Sequence, residues 1–213
     1  VHHKFERRVG IWPAGFDADG VLFCNTRFGD YPIRLPNRAW DPWTDAFPGW
    51  MLVSYRKPTA ASSSLPGHAP ELAVDDSIRT WWAAEQDDGR QWLQVDLEET
   101  ARVEAIQVNF AEEQCDQQCR EGEPLKHQYL LASSVDGSSW TAVVDKRAGT
   151  GDVPHDYVVL DRPREARYVR LTITHMPAKG KPAVSGLRVF GCAGGDAPAA
   201  PKVLQLDRNA DDP

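Results

Sequence analysis

The sequence contains no long apolar segment and none of the common catalytic motifs. No hydrophobic run approaches the roughly 18 residues that a membrane-spanning helix requires, and no basic region followed by a short apolar core marks a signal peptide. GxSxG, HExxH and Walker-type phosphate-binding motifs are also absent. We therefore expect neither a membrane span nor a catalytic constellation in these 213 residues.

Cysteine is scarce, with four residues at positions 24, 115, 119 and 192. Cys115 and Cys119 form a CxxxC pair without a second pair or suitably spaced histidines, so a zinc site has little support. In an oxidising compartment the pair would form a local disulfide that pins a loop, whereas in the cytosol it would remain two free thiols. The residues leave both alternatives open.

Positive charge is in deficit, because 24 Lys and Arg stand against 31 Asp and Glu, for a net charge of −7. The excess lies in residues 59–192, which hold 14 basic and 21 acidic residues, while residues 1–58 hold eight and six. An acidic domain is poorly suited to nucleic acid or to an anionic membrane surface. We expect neither as a partner, and a neutral ligand is favoured by elimination.

Helical periodicity is also missing, and short strands take its place. No window of about 11 residues holds apolar residues at the helical period. A Pro-, Ser- and Gly-rich stretch at 57–70 marks a boundary, and after it alternating segments recur with turn signals between them. This pattern predicts an all-β sandwich, with one face of each strand buried, as for Leu93, Val95 and Leu97 and for Ile106, Val108 and Phe110.

One stretch, residues 73–82, concentrates chemistry at the start of this domain. It holds two neighbouring carboxylates, two hydroxyls and the pair Trp81-Trp82. A short oxygen-rich loop needs partners or a cation for its polar groups, and each indole needs burial or a flat partner. Strand alternation places the two tryptophans on opposite sides, so we expect both a core residue and a residue at the rim of a binding face.

Several motifs occur in order between residues 59 and 192. They are Ala61 to Ser64, Ala73 to Asp76, Thr80 to Trp82, Trp92 to Leu97, Ser134 to Trp140, Ala166 to Leu171 and Ser185 to Gly191. Together they resemble the discoidin fold, also called the coagulation factor 5/8 C-terminal domain. The resemblance implies a β-sandwich of jelly-roll type with its ligand loops at one end. Bacterial members, such as carbohydrate-binding modules of family 32, are often attached to glycosidases.

The flanking segments resemble parts of other domains. His2 to Ile11 and Pro13 to Gly20 are similar to the last blade of a glycoside hydrolase family 43 β-propeller, so residues 1–57 are expected to be the final strands of an incomplete propeller remnant. Residues 193–213 read as a linker and the possible start of a fibronectin type III-like domain. Both ends lie in polar sequence, and we expect a fragment of a protein that is secreted, periplasmic or on the surface of a bacterial cell.

The resemblance also implies a structural Ca²⁺ site in the 73–82 stretch. Its ligands would be the Asp75 side chain, the hydroxyl and carbonyl of Thr80, and the carbonyls of Leu72 and Ser77. A second carboxylate usually comes from the last strand, where this sequence has Gly186. The sequence leaves two alternatives, an occupied Ca²⁺ site or a loop closed by hydrogen bonds of Asp75 and Thr80 alone.

Sugar binding needs an aromatic face for the ring and polar groups for its hydroxyls. Trp82 occupies the core position of the resembled family, which leaves Trp81 as the candidate platform, while the strand pattern places Trp92 and Trp140 in the core. Trp40, Trp43 and Trp50 are expected to pack the propeller against the sandwich. Candidate hydrogen-bonding residues at strand ends and in loops are Asn109, Glu112, His155, His175, Lys179 and Lys181.

Three functions fit these features. The leading prediction is a non-catalytic carbohydrate-binding module of a larger polysaccharide-degrading glycosidase, with no catalytic residues here because Asp17, Asp19 and Asp30 suit turns. The second is a structural sandwich that buttresses the propeller through an intramolecular contact and binds no ligand. The third is an adhesion module for membranes or proteins, which the acidic balance disfavours.

Overall fold

The computed structural model describes residues 14–16, 20–24, 50–116 and 125–194. The chain divides into two compact units, residues 1–51 with 198–213 and residues 52–197. In the first unit, β1 (Ala14–Phe16) and β2 (Leu22–Cys24) pair antiparallel, as expected for a hairpin turn near Gly20. The other features expected of the propeller remnant, Trp40, Trp43 and the fibronectin-like segment fall outside the described residues.

The second unit is built almost entirely from antiparallel strands. The order along the sheet is β3-β10-β6-β9-β7-β8, with β4 added to β6 and β5 added to β10. Within the described residues of this unit, the 3-10 helices Pro70–Ala73 and Pro177–Lys179 lie between strands. The strands are β3 (Met51–Leu52), β4 (Thr59–Ala61), β5 (Trp82–Ala83), β6 (Gln91–Phe110), β7 (Gln128–Ser134), β8 (Thr141–Asp145), β9 (His155–His175) and β10 (Ala183–Ala193).

The two longest strands, β6 and β9, belong to both layers of the sandwich. The first half of β6 pairs with β4 and with the second half of β9, whereas its second half pairs with β10 and with the first half of β9. The change of layer falls where the β6–β9 register shifts between Asp96 and Ala101, and Glu98 there has a positive φ of 69°. The result is a jelly-roll sandwich, as predicted.

Alternation along the strands decides which side chains form the core. In β6, Leu93, Val95 and Leu97 are at most 1% exposed, and Ile106 and Val108 from the other half are fully buried. All five belong to one hydrophobic cluster that also contains Trp82. The predicted buried faces of both segments are confirmed, since burial of aliphatic side chains is the main force that holds two sheets together.

Both ends of each long strand meet at the same end of the sandwich. Phe110, the last residue of β6, lies with its ring 4.7 Å from that of His127 and 5.5 Å from that of Tyr129, at the start of β7 in the opposite layer. The hydroxyl of Tyr129 donates to Asp156 at 2.6 Å, which ties β7 to the start of β9. We name this region the loop end, formed by residues 62–69, 84–90, 111–116, 125–127, 149–154 and 176–182.

Ser54 lies beside β10, between the two short strands β3 and β5 that flank the same edge of β10. β3 lies beside the C-terminal part of β10, and β5 pairs with Ala183 and Val184. Between them the Ser54 hydroxyl donates to the Leu187 carbonyl at 3.1 Å and accepts from the Val189 amide at 2.9 Å. Buried backbone groups need hydrogen-bond partners, and Ser54 supplies them here for the Leu187 carbonyl and the Val189 amide. The contact also holds the segment after β3 against β10.

The expectation that Trp92 and Trp140 fill the core is wrong. Both are only half-buried, and the guanidinium of Arg170 lies between them, 4.6 Å from the Trp92 ring centroid and 3.9 Å from that of Trp140. Trp92 is directly followed by the buried Leu93, so alternation places its indole on the outer face. Stacking on a cation provides the cover that the core would otherwise give.

Among the described residues, no helix is long and apolar enough to cross a membrane.

Candidate functional site

Two side chains from two loop-end segments, His68 and Glu113, converge around Trp81, which lies directly before β5. The indole N–H of Trp81 donates to Glu113 Oε2 at 3.0 Å, and His68 Nε2 lies 3.7 Å from the same oxygen. The His68 and Trp81 rings are 4.9 Å apart and tilted by 36°. Trp81 is half-buried and points away from the core, as alternation with Trp82 predicts. We name His68, Trp81 and Glu113 the Trp81 cluster.

Backbone contacts between loops hold the Trp81 cluster in place. The Lys181 amide donates to the Glu113 carbonyl at 2.9 Å, and the Lys181 side chain donates to the carbonyl of Glu85. His68 Nδ1 lies 3.2 Å from the Trp81 carbonyl, which fixes the imidazole against the same strand. The cluster therefore combines an aromatic ring, a carboxylate and an imidazole, which are groups that can contact the apolar face and the hydroxyls of a sugar.

A pocket of about 100 Å³ lies beside this cluster, on the other side of loop 111–116. Its lining includes Glu112, Cys115, His127, Asp152 and Met176. Pockets for whole small molecules are typically about 300 Å³ or more, so this one has room for part of a ligand only. Glu112, which the sequence analysis gave as a candidate ligand-binding residue, lines this pocket.

His127 is the buried ionisable group of this pocket. The ring is 5% exposed, and its Nδ1 lies 3.2 Å from Asp152 Oδ1 and accepts from the Val153 amide at 3.2 Å. Burial lowers the pKa of His127 from its ordinary value, and the Asp152 carboxylate opposes that shift only in part. Burial also raises the pKa of the Cys115 thiol. His127 is thus a neutral ring at neutral pH.

The other predicted ligand residues lie around the same end but do not join the Trp81 cluster. Asn109 and His155 face each other across the β6–β9 ladder, with His155 Nδ1 3.2 Å from Asn109 Oδ1. His175 is the last residue of β9 and pairs with Gln128. Lys179 ends the 3-10 helix Pro177–Lys179. Whether any of these residues contacts a ligand stays a prediction.

Cys115 forms no disulfide with any residue in the described part of the chain. Its predicted partner Cys119 falls outside the described residues, so the disulfide between them stays a prediction.

The predicted calcium loop is closed by its own hydrogen bonds. Asp75 Oδ1 accepts from the Ser77 amide at 2.9 Å, and its Oδ2 accepts from the Thr80 hydroxyl at 2.7 Å. The Thr80 hydroxyl also lies 3.4 Å from the Ser77 carbonyl. In the part of the chain that the structure describes, no group of three or more His, Cys, Asp or Glu side chains could hold a metal ion.

These residues do not fit the calcium site that the resemblance implies. Ca²⁺ takes six to eight oxygen ligands from carboxylates, carbonyls and water, and the proposed set contains one carboxylate, that of Asp75, whose two oxygens already accept hydrogen bonds. Gly186 stands where the second carboxylate is expected. Arg188, two residues further along β10, donates from Nη2 to Asp76 and so brings a positive charge into this loop. Leu72 offers only its backbone carbonyl.

A family model for the F5/8 type C domain matches residues 58–186 of the chain. The chain belongs to the F5/8 type C domain family. No curated protein sequence matches this chain.

Solved structures similar to this F5/8 type C domain come from modules of bacterial enzymes. Chitosan-binding module 1 of a chitosanase/glucanase from Paenibacillus sp. IK-5 is 24% identical, with 66% of this chain and 98% of that chain covered and a TM-score of 0.54. Module 2 of the same enzyme, in complex with chitotriose, is also 24% identical, with 65% and 99% covered and a TM-score of 0.51.

A third similar structure is CpGH89CBM32-4 from Clostridium perfringens, in complex with GlcNAc-α-1,4-galactose. It is 14% identical, covers 68% of this chain and 97% of its own, and has a TM-score of 0.54. At identities of 24% or less, these likenesses establish the fold of this F5/8 type C domain and leave its ligand to be argued from its own residues.

Sequence reasoning identified Trp81 but missed its two partners in the cluster. His68 and Glu113 lie in separate loops, 13 and 32 residues from Trp81 along the chain. The neighbouring Glu112 was selected instead, because both acids follow the end of β6 and nothing in the local sequence separates them. Alternation assigned Trp81 and Trp82 to opposite sides, but it applies only within a strand. The direction in which a loop side chain points therefore cannot be predicted from the sequence pattern.

Proposed function

We propose that this chain is a non-catalytic carbohydrate-binding module that works as part of a larger polysaccharide-degrading glycosidase. The observation that carries the proposal is the Trp81 cluster, an indole with polar partners at the loop end of a domain whose fold is shared with sugar-binding modules. The attachment to an enzyme is supported by the resemblance of the sequence at residues 1–57 to the end of a family 43 β-propeller. The predicted export of the protein agrees with a substrate outside the cell.

Binding would use the two kinds of surface that the cluster presents. The exposed part of the Trp81 ring would stack on the apolar face of a sugar, while Glu113 and His68 would bind hydroxyl groups at its edge. The Glu113 side chain is 15% exposed and that of His68 is 25% exposed, so both are largely held in place before a ligand arrives. Such preorganisation reduces the entropy that binding costs.

Isothermal titration of the full chain with galactose, chitotriose and GlcNAc-α-1,4-galactose tests this proposal. We expect at least one of these sugars to bind, and Trp81→Ala to weaken it by roughly tenfold or more, equivalent to about 1.4 kcal/mol. Trp140→Ala is the matched control, because Trp140 is another half-buried tryptophan and follows the β7–β8 turn at the opposite end. Equal affinity in wild type and Trp81→Ala would refute the assigned site.

One observation favours the structural alternative, a sandwich that supports a neighbouring domain without binding sugar. The indole N–H of Trp81 already donates to Glu113, and one side of the ring packs against His68. Both contacts are typical of a residue that stabilises the fold. Under this alternative no sugar binds the wild-type chain at millimolar concentration, and Trp81→Ala destabilises the fold as much as replacement of the neighbouring core residue Trp82 does. Sugar binding, with a smaller loss of stability in Trp81→Ala than in Trp82→Ala, would instead favour the carbohydrate-binding module.

A further inference from the structure

The loop that precedes β5 contains two neighbouring carboxylates with different partners. Asp75 is satisfied within the loop, by the Ser77 amide and the Thr80 hydroxyl. Asp76 has a positive φ of 61°, a conformation that aspartate tolerates better than most residues. Its carboxylate receives a hydrogen bond from Nη2 of Arg188 on β10, 112 residues further along the chain. The loop is therefore fastened to β10 by an ion pair.

Arg188 is built into the sheet rather than free at the surface. Its side chain is 27% exposed, and its Nη1 lies 3.4 Å from Oε1 of Gln107, the residue that pairs with it on β6. Its Nε is buried and has no hydrogen-bond partner among the described residues. Burial of an ionised group is costly unless it is paired, so the Asp76 contact is the main compensation for this guanidinium.

A small cavity lies between this loop and β10, next to the backbone of Gly186. It has a volume of about 10 Å³ and is lined by residues that include Asp76, Gly186 and Arg188. That volume is about the minimum for one water molecule. A side chain at position 186 would instead meet Asn109, because a Cβ there would lie 2.7 Å from the Asn109 side-chain nitrogen, so an acidic residue does not fit beside Asn109 as it stands.

We infer that Arg188 is the built-in cation of this loop and that the loop closes without a divalent metal. The guanidinium neutralises Asp76, and both Asp75 oxygens already accept hydrogen bonds within the loop. A Ca²⁺ ion bound by Asp75 would share this loop with the Arg188 guanidinium, and like charges repel more strongly at a partly buried site than in water. The ion pair therefore fills the role that a metal has in the resembled family.

The test compares the metal response with the loss of the ion pair in the full chain. We expect the wild-type melting temperature to be the same in EDTA and in about 5 mM CaCl₂, a concentration above the millimolar affinity of weak extracellular sites. Arg188→Met should lower it by at least about 3 °C. Arg162→Met, which removes an exposed arginine from β9, is the matched control and should change it by less than about 1 °C.

A double-mutant cycle distinguishes the ion pair from a packing effect. Asp76→Asn alone should destabilise, and Asp76→Asn combined with Arg188→Met should cost less than the sum of the two. If Arg188→Met does not fold, Asp76→Asn and calorimetric Ca²⁺ titration of the wild type decide the question. Ca²⁺ binding with a Kd below about 1 mM, or additive effects in the cycle, would overturn the inference.

Discussion

Trp82 and Trp81 are neighbours in the sequence, but they differ in burial and in the groups that they contact. Trp82 is fully buried, and its indole N–H donates to the Ser63 carbonyl at 3.0 Å and lies 3.2 Å from the Ser64 hydroxyl. Trp81 is half-buried, and its N–H donates to the side chain of Glu113. The same side chain type thus stabilises the sandwich on one side of the strand and forms the candidate site on the other.

The difference lies in what each indole contacts. Trp82 belongs to the core cluster of aliphatic side chains from both layers. Because this core is close-packed, neighbouring side chains cannot compensate for the loss of the indole. Trp81 contacts side chains from two other loops, and those contacts can be exchanged for contacts with a ligand at little cost to the fold. Stability and recognition should therefore separate between these two positions, and three further predictions test that separation.

The largest effect is expected at Trp82. Trp82→Ala should lower the free energy of unfolding by about 3–5 kcal/mol, because it leaves a cavity in the shared core and two serine acceptors without their donor. Urea unfolding measures this change. Trp81→Ala should cost less than about half as much. Equal costs at the two positions would show that both indoles serve the fold alone.

A smaller effect is expected from acid, through His127 in the pocket beside the Trp81 cluster. Burial lowers the pKa of His127 in the folded chain, so the unfolded chain takes up a proton first as the pH falls through about 6.5. This contribution to stability is complete above that pH and is lost as the pH falls toward the lowered folded-state pKa. The melting temperature of the wild-type chain should therefore fall as the pH is lowered from 7.5 to 5.

His127→Gln should flatten that decline, whereas His155→Gln, at an exposed histidine of the same loop end, should leave it unchanged. An unaltered pH profile in His127→Gln would place the acid sensitivity elsewhere. The comparison also separates the pocket from the Trp81 cluster, since neither substitution touches Trp81.

The smallest effect is expected on the outer face, where Arg170 lies between Trp92 and Trp140. Arg170→Met should reduce the free energy of unfolding by about 1 kcal/mol, the usual size of a partly solvated cation–π contact. Arg170→Lys should recover part of that loss in urea unfolding. Sugar affinity should stay the same in both variants, and a change in affinity would extend the candidate site onto this face.

Strand alternation was enough to predict most of the fold. It identified the buried faces of β6 and the opposite sides of Trp81 and Trp82, because burial follows a two-residue period wherever one face is covered. The prediction that Trp92 and Trp140 fill the core was wrong because it rested on the hydrophobic character of the indoles, although alternation with the buried Leu93 places Trp92 on the outer face. The partner that covers them, Arg170, is set by cross-strand register, which sequence spacing does not reveal.

The candidate site was harder to predict than the fold. Trp81 follows from the pattern, but Glu113 and His68 reach it only because β6 ends, and the segment after β4 passes, at the same end of the sandwich. The Arg188–Asp76 pair was missed for the same reason, since its members are 112 residues apart. Contacts between loops depend on the completed topology, and no local propensity encodes them.

The layer change of β6 and β9 has a consequence for how such a domain can be altered. Each strand is held by long ladders in both layers, so the layers stay joined whatever connects the strand ends. The segment between Phe110 and Gln128 leaves and re-enters this frame at positions tied together by the contacts of Phe110 with His127 and Tyr129. We therefore expect the sandwich to tolerate substitutions in residues 111–116, which supply Glu113 to the Trp81 cluster, so that specificity can change while the fold is kept.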